Sequence, residues 1–247
     1  MYLTEFPLNM SRRESRRMLA APYSLHAAIA GSFPSQQSGS EAGRLLWRID
    51  REGDVSASLY IVSPDVPSLV GLDEQIGWPD LPPQWKTRDY EPLLSSISNG
   101  QVYRFRLVAN PVVSRRAIRT EQGSSKRLPH LTTLQQAAWL VGREAYEEVG
   151  VDLPDFIAQA DSTRAERNGF AVCRSDDDGS LQLVVSDSKV VKFPQGARGH
   201  TITLATVRYD GILRVTDSDS LRHAMSFGIG HGKGFGCGLL TLAQWRP

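Results

Sequence analysis

Two stretches of this sequence carry residue types suited to chemistry. Tyr23 and His26 stand three residues apart in a segment where Leu25, Ile29 and Phe33 recur at every fourth position. On a helix of that periodicity the tyrosine and histidine project from neighbouring positions on one face. Histidine titrates near neutral pH and can donate or accept a proton, while tyrosine offers a positioned hydroxyl. The pair therefore suits proton transfer, although the same two residue types also serve as ordinary packing.

The second stretch runs from Gly228 to Leu240, with glycine at every second position from Gly228 to Gly238. Such a backbone is free to take positive φ, and no Cβ keeps a large ligand away. It is not a P-loop, because Phe227 stands where the first glycine is required and Gly234 follows Lys233 in place of Ser or Thr. Nor is it a dinucleotide fingerprint, because Lys233, Phe235 and Leu239 occupy the required third-glycine positions. The run Lys233-Gly234-Phe235-Gly236 matches the start of the first ribonucleoprotein motif, but Cys237 and Leu240 replace the later stacking aromatics. Contact between the loop backbone and a polyanion fits better than base stacking. Flanked by an amphipathic segment (219–227) and an apolar finish (237–243), the run reads as a helix-to-strand connection inside a domain.

The elements that must position these residues follow from periodicity and punctuation. The 247 residues suffice for two domains of ordinary size, and 40% apolar with 22% charged residues is a globular composition. No run approaches the roughly 18 uninterrupted apolar residues of a membrane span. Met1 to Glu5 lacks a basic region followed by an apolar core, so no signal peptide is expected and a cytoplasmic location follows. Cys173 and Cys237 lie far apart without CxxC spacing, which points to free thiols and to neither a disulfide framework nor a zinc site.

In chain order, a strand over 1–8 precedes a helix from Arg12 to Ala20, with Ser11 as N-cap and Glu14 at the capping-box position. The helix restarts at Pro22 and carries Tyr23 and His26. Strands over 44–50 and 56–63, a short helix at 69–76 and a closing strand within 85–94 complete the order β, α, β, β, α, β, the ferredoxin-like arrangement. The turn-like 95–100 marks a boundary, giving domains 1–97 and 98–247. The second half repeats the order. It has a strand from Val102, a long helix over 132–149 ending at Gly150, an acidic irregular stretch over 155–178, strands over 181–185, 189–193 and 201–216 with a turn or bulge at Tyr209-Asp210-Gly211, a helix over 219–227, and a final strand over 238–243. The expected class is α+β, two tandem ferredoxin-like domains.

The net charge of +1 conceals segregation. Seven basic residues between Arg104 and His130 (Arg104, Arg106, Arg115, Arg116, Arg119, Lys126 and Arg127) face the single acid Glu121, and Arg12, Arg13, Arg16 and Arg17 form a second cluster. Local neutralisation of phosphates, not the global sum, sets affinity for nucleic acid, so a basic face is expected.

The opening Met1-Tyr2-Leu3-Thr4, the Tyr23-x-x-His26 pair, the strand Phe105-Arg106-Leu107-x-Ala109-Asn110-Pro111 and the closing glycine-rich loop together resemble the CRISPR-associated endoribonuclease of the type I-E Cascade complex. The resemblance spans both halves. It implies a tandem ferredoxin-like fold that binds the CRISPR repeat hairpin and cuts precursor CRISPR RNA at the base of its stem. It also implies no cofactor and no metal, a cyclic phosphate on one product, and a chain that stays on the mature guide among the other Cascade subunits. By resemblance His26 is the principal catalytic residue, with Tyr23 assisting. Lys233 and the loop amides at Gly230, Gly232 and Gly234 would hold phosphates near the cut. Arg104, Arg106, Arg115, Arg116, Lys126 and Arg127 would track the backbone, and Lys189, Lys192 and Arg198, on an expected hairpin, would meet the RNA stem. His130, His200, His223 and His231 read as surface or packing residues. Relatives carry a basic residue about a turn beyond the catalytic histidine, whereas that turn here is Ala27 to Gly31, so any auxiliary charge must come from elsewhere. The competing classes are a non-catalytic RNA-binding scaffold and, more distantly, a DNA-binding protein.

Overall fold

The structure, a computed structural model, describes every residue except 34–40, 42, 52, 79–80, 83, 120–124, 153–161, 196–199 and 247. By internal contacts the chain divides into two compact units. The first comprises Met1–Ser96, Lys192–Ile202 and Met225–Leu239, and the second Ile97–Val191, Thr203–Ala224 and Leu240–Pro247. The division expected after residue 97 put the glycine-rich segment with the second half of the chain, whereas contacts group it with the first unit.

In the first unit, β1 (Tyr2–Asn9), β2 (Leu46–Arg51), β3 (Ser56–Ser63) and β4 (Lys86–Asp89) form an antiparallel sheet in the order β2-β3-β1-β4. Helices α1 (Arg13–Ala20) and α2 (Pro22–Ala30) connect β1 to β2, α3 (Val70–Ile76) connects β3 to β4, and α4 (Glu91–Ser96) follows β4. This is the ferredoxin-like connection and strand order. Alternation along the strands turns Phe6, Leu8, Trp47, Leu59 and Ile61 into one core with Met18 of α1, Leu25 and Ile29 of α2, and Leu72 and Ile76 of α3. Each such side chain contributes roughly 1.5–3 kcal/mol when withdrawn from water.

The expected cap of α1 does not form. Arg12 occupies the N-cap without a side-chain bond, and Glu14 instead pairs with Arg17 at 2.6 Å. Two further arginines of that cluster satisfy backbone: Arg12 donates to the Gly77 carbonyl at 3.3 Å, and Arg16 to those of Met10 and Ser11 at 3.1 and 2.8 Å.

In the second unit the sheet order is β11-β5-β10-β8, again antiparallel throughout, with β9 also pairing β10. The strands are β5 (Val102–Ala109), β8 (Phe170–Val172), β9 (Leu183–Gln195), β10 (His200–Val215) and β11 (Leu240–Gln244). Taking β5, β8, β10 and β11 as first to fourth reproduces the ferredoxin-like order. The helices are α5 (Thr133–Val141), α6 (Glu144–Glu147), α7 (Arg164–Arg167) and α8 (Ser218–Phe227). A separate two-stranded sheet, β6 (Val112–Arg119) with β7 (Ser125–Pro129), is inserted after β5.

Three readings are corrected here. The long helix over 132–149 is broken at Gly142, whose φ of 62° belongs to the left-handed region and whose Cβ would lie 2.9 Å from Thr163 Cγ2. The Tyr209-Asp210-Gly211 segment is not a turn but the middle of β10. Tyr209 is fully buried, donates to the Gln136 carbonyl at 2.8 Å and stacks on Trp139, while a Cβ on Gly211 would sit 2.4 Å from the Gln182 carbonyl oxygen. The second strand of the unit comes from the stretch read as acidic and irregular: its described part holds α7 and β8, while 153–161 lie outside the described residues.

On the face of the first sheet opposite α1 to α3, Arg48 is 3% exposed and binds Asp50 through two hydrogen bonds of 2.8 and 2.9 Å. Its third contact, 3.2 Å to the Leu239 carbonyl, ties β2 to the end of the glycine-rich segment. Removing one partner of a buried ion pair costs roughly 3–5 kcal/mol because the other charge is left unpaired. Arg48→Ala should lower the unfolding free energy by about that amount in urea titration, and the paired change Arg48→Met with Asp50→Leu by much less.

Candidate active site

Helix α2 begins with Pro22 at its first position, where the missing N–H costs nothing and the fixed φ suits the helix. Leu25 and Ile29, almost fully buried, dock it on the sheet, which leaves the adjacent His26 half-buried at the edge of that contact. Tyr23, one turn earlier, is 45% exposed.

Two other elements reach His26. Trp47, facing the core from β2, donates its indole N–H to His26 Nδ1 at 3.3 Å. From the glycine-rich segment, the backbone of Gly234 comes so near that a Cβ built there would lie 3.5 Å from Nε2. That is ordinary van der Waals contact, and the similar distances of 3.6 and 3.8 Å to Cδ2 and Cε1 place Gly234 over the face of the ring at its Nε2 end.

The segment can take this path because of its glycines. Gly228, Gly230, Gly232, Gly236 and Gly238 all have φ between 78° and 92°, in the left-handed region. Gly232 and Gly236 bracket a single 3-10 turn, Lys233–Phe235, closed by Phe235 N–H to the Gly232 carbonyl at 2.8 Å. Ile229 N–H to the Gly238 carbonyl, at 2.9 Å, closes the loop at its base. Gly228 and Gly238 leave room for the Lys233 stem, since added Cβ atoms would lie 3.0 and 3.2 Å from its Cε and Cγ. Gly236 packs on the Trp47 ring, where a Cβ would come within 2.8 Å of Cζ3. Phe235 meets the buried Phe193 of β9 edge-on at 5.2 Å.

Desolvation, and secondarily the Arg44 guanidinium, lower the His26 pKa below the ordinary 6.5. The folded state thus prefers neutral imidazole, and protonation weakens stability as pH falls below the unfolded value. Burial pushes the Cys237 thiol up to about 12, which rules it out as a thiolate nucleophile near neutral pH. Among the described residues, no three His, Cys, Asp or Glu side chains are grouped to hold a metal ion.

His26, Lys233 and the loop glycines are thus brought together within one unit, with Tyr23 a turn away on α2. Arg104 and Arg106 share one face of β5, as the alternation requires. Arg104 is exposed and lies 5.0 Å over the Trp245 ring, while Arg106 pairs with Asp210 at 2.5 Å. Arg115 and Arg116 fall on β6, and Lys126 and Arg127 on β7. Lys189 and Lys192 are exposed on β9, and Arg198 lies outside the described residues. Sequence reasoning missed Trp47 and Arg44. Trp47 carries no signal beyond that of an interior strand residue, and Arg44 adjoins the site only because β2 lies beside α2.

Gly236→Ala should destabilise the protein by about 1–3 kcal/mol, through left-handed strain added to the clash with Trp47. Thermal unfolding and Trp47 fluorescence measure the loss and the displaced indole. In a proton NMR titration of the histidines, the His26 midpoint should fall below 6.5 and rise toward it in Arg44→Ala.

A family model described as CRISPR associated protein matches residues 1–244. The chain is 27% identical over 247 residues to the CRISPR-associated endoribonuclease Cse3 of Thermus thermophilus, covering 98% of this chain and all of the relative. It superposes on the structure of Thermus thermophilus Cse3 bound to an RNA representing a pre-cleavage complex with a TM-score of 0.71, at 24% identity and 98% coverage of both chains. A subunit of a CRISPR RNA-guided surveillance complex matches with a TM-score of 0.61, at 23% identity over 99% of this chain and all of that one. Both structural likenesses are of fold, the tandem ferredoxin-like architecture described above. Since the family match runs through both units, the α2 helix and the glycine-rich loop alike, this chain belongs to the CRISPR associated protein family.

Proposed function

We propose that the chain is an endoribonuclease that binds the CRISPR repeat hairpin and cleaves precursor CRISPR RNA at the base of its stem. It stays on the mature guide as a subunit of a Cascade complex and works in the cytoplasm. The observation that carries this reading is the convergence of a half-buried histidine, His26, with a lysine-bearing glycine loop that lies over the Nε2 end of its ring. The names of the relatives, an endoribonuclease, its RNA complex and an RNA-guided surveillance complex, support it.

The chemistry needs little beyond alignment and proton movement. The RNA 2′-oxygen forms a bond to the adjacent phosphorus, the bond to the 5′-oxygen breaks, and the products are a cyclic phosphate and a 5′-hydroxyl. One proton leaves the 2′-hydroxyl and one reaches the departing oxygen, so no metal is required. His26 acts at the oxygens that lose and gain these protons, with Tyr23 assisting. The loop amides around Gly230, Gly232 and Gly234, with Lys233, hold the phosphates in place. Arg104, Arg115, Arg116, Lys126 and Arg127 follow the RNA backbone, with Lys189, Lys192 and Arg198 against the stem. Arg106 contributes less, because a phosphate must displace Asp210. Residues 1–97 and 98–247 are assigned as the two ferredoxin-like domains, the glycine-rich segment completing the site on the first.

Cleavage of labelled repeat-hairpin RNA in EDTA, with binding measured alongside, tests this reading. Wild type should cut, and His26→Ala should bind equally well but cut roughly 10²- to 10⁴-fold more slowly, the range of general acid-base assistance. A 2′-deoxy substitution at the cut site should leave binding and abolish cleavage. Tight binding without cleavage by wild type would instead identify an RNA-binding scaffold.

A further inference from the structure

We propose that Trp47 is a positioning residue for cleavage, holding His26 in the tautomer that carries its proton on Nε2, so that His26 acts on the RNA as a hydrogen-bond donor and not as a base. The role assigned to His26 rests on the cleavage reading above. The tautomer does not.

An indole N–H has no lone pair and can only donate. Its partner at 3.3 Å, Nδ1 of His26, must therefore accept, and a neutral imidazole whose Nδ1 accepts carries its proton on Nε2. The indole has little freedom to turn away. Trp47 is 3% exposed within the core formed by Leu25, Ile29 and their neighbours, and Gly236 is packed against its six-membered ring, with added-Cβ distances of 2.8 to 3.2 Å to three ring carbons. The nitrogen left for substrate is Nε2, with Gly234 lying over the ring face beside it.

The charges around the imidazole favour the same neutral form. On the packed elements these are Tyr23 of α2, Arg44 ahead of β2, Lys233 and His231 of the glycine loop, and the arginines of α1, where Glu14 is engaged with Arg17. Arg48 and Asp50 of β2 pair with each other on the opposite face of the sheet. Among the described residues the electrostatic bias on His26 comes from the Arg44 cation, and no carboxylate offsets it.

A neutral Nε2–H has no lone pair with which to take the 2′-hydroxyl proton. It stabilises the oxygen on which charge develops by hydrogen bonding while keeping its own proton, as neutral imidazoles do at other oxyanion sites. The proton leaving the 2′-hydroxyl and the proton gained by the 5′-oxygen then exchange with water. Cleavage consequently does not fade as pH rises through the histidine range. Protonation at low pH puts a second N–H against the indole donor and breaks the contact.

The test uses the full chain labelled with ¹⁵N-histidine, as wild type and as Trp47→Phe, which keeps an aromatic ring but loses the donor. In wild type above neutral pH, Nδ1 of His26 should resonate as an unprotonated nitrogen and Nε2 as a protonated one. In Trp47→Phe the two tautomers should mix and the His26 midpoint should rise toward the ordinary value. Single-turnover cleavage of hairpin RNA should fall about tenfold to hundredfold with unchanged binding, within the roughly 10²–10³ that one hydrogen-bond donor to a developing oxyanion contributes, and should fade as pH rises through the histidine range, which wild-type cleavage does not. A protonated Nδ1 in wild type would overturn the proposal, and this measurement decides even if the variant does not fold. An unchanged tautomer and pH profile in Trp47→Phe would overturn it as well. Wild type that shows the Nε2–H tautomer yet never cleaves would overturn the cleavage reading and leave the tautomer standing.

Discussion

The hydrogen bond from the Trp47 indole to His26 Nδ1 is the contact on which the arrangement of the site depends. It joins a strand interior to the edge of a helix, and its two partners are also the surfaces on which the glycine loop rests, Gly236 on the indole and Gly234 beside the imidazole. A loop with glycine at alternate positions has a large conformational entropy to lose. What limits it here is close packing against two rigid rings, made possible because no Cβ intervenes.

The same segment is fastened at its two ends by residues of one strand and its approach. Arg44 N–H bonds the Ser226 carbonyl at 2.9 Å just before the loop, and Arg48 holds the Leu239 carbonyl just after it. Both arginines belong to β2 or its approach, the strand that carries Trp47. One strand thus sets both the ring that orients His26 and the anchor points of the loop that approaches it. A buried arginine is tolerable there because Asp50 compensates its charge, and the Leu239 carbonyl takes up a further donor.

The basic residues divide according to what already occupies them. Arg12, Arg16 and Arg17 are engaged with carbonyls and Glu14, which makes their recurrence in the sequence a feature of local folding more than of a binding face. On β5, Arg106 and its neighbour Arg208 of β10 surround Asp210, whereas the partner of Arg104 among the described residues is an aromatic ring, Trp245. A phosphate competes more easily with a ring than with a carboxylate, so clustering of charge along a sequence overstates the charge available to a polyanion.

Local pattern determined a great deal of this protein. Alternation and turn residues specified the β, α, β, β, α, β series of the first unit and hence its strand order, whereas the second strand of the second unit, β8, lay in a stretch that reads as irregular. The three-residue spacing of Tyr23 and His26 placed both on α2, and the alternating glycines marked the loop, because each of these signals lies within a few residues. Where the local signal was ambiguous, packing decided. Gly142 interrupts an otherwise continuous apolar helix because Thr163 leaves no room for a Cβ, and Tyr209-Asp210-Gly211 stays extended because Tyr209 is enclosed beside Trp139. The partners of His26 were beyond the sequence for the same reason. Trp47 is 21 residues from His26, and Gly234 is separated from it by most of the chain. Only the β2-β3-β1-β4 sheet and the folding of 225–239 into the first unit set them side by side. Residue types and short spacings therefore determined which groups were available for proton transfer, and tertiary packing alone decided which nitrogen of His26 is held and which is left free.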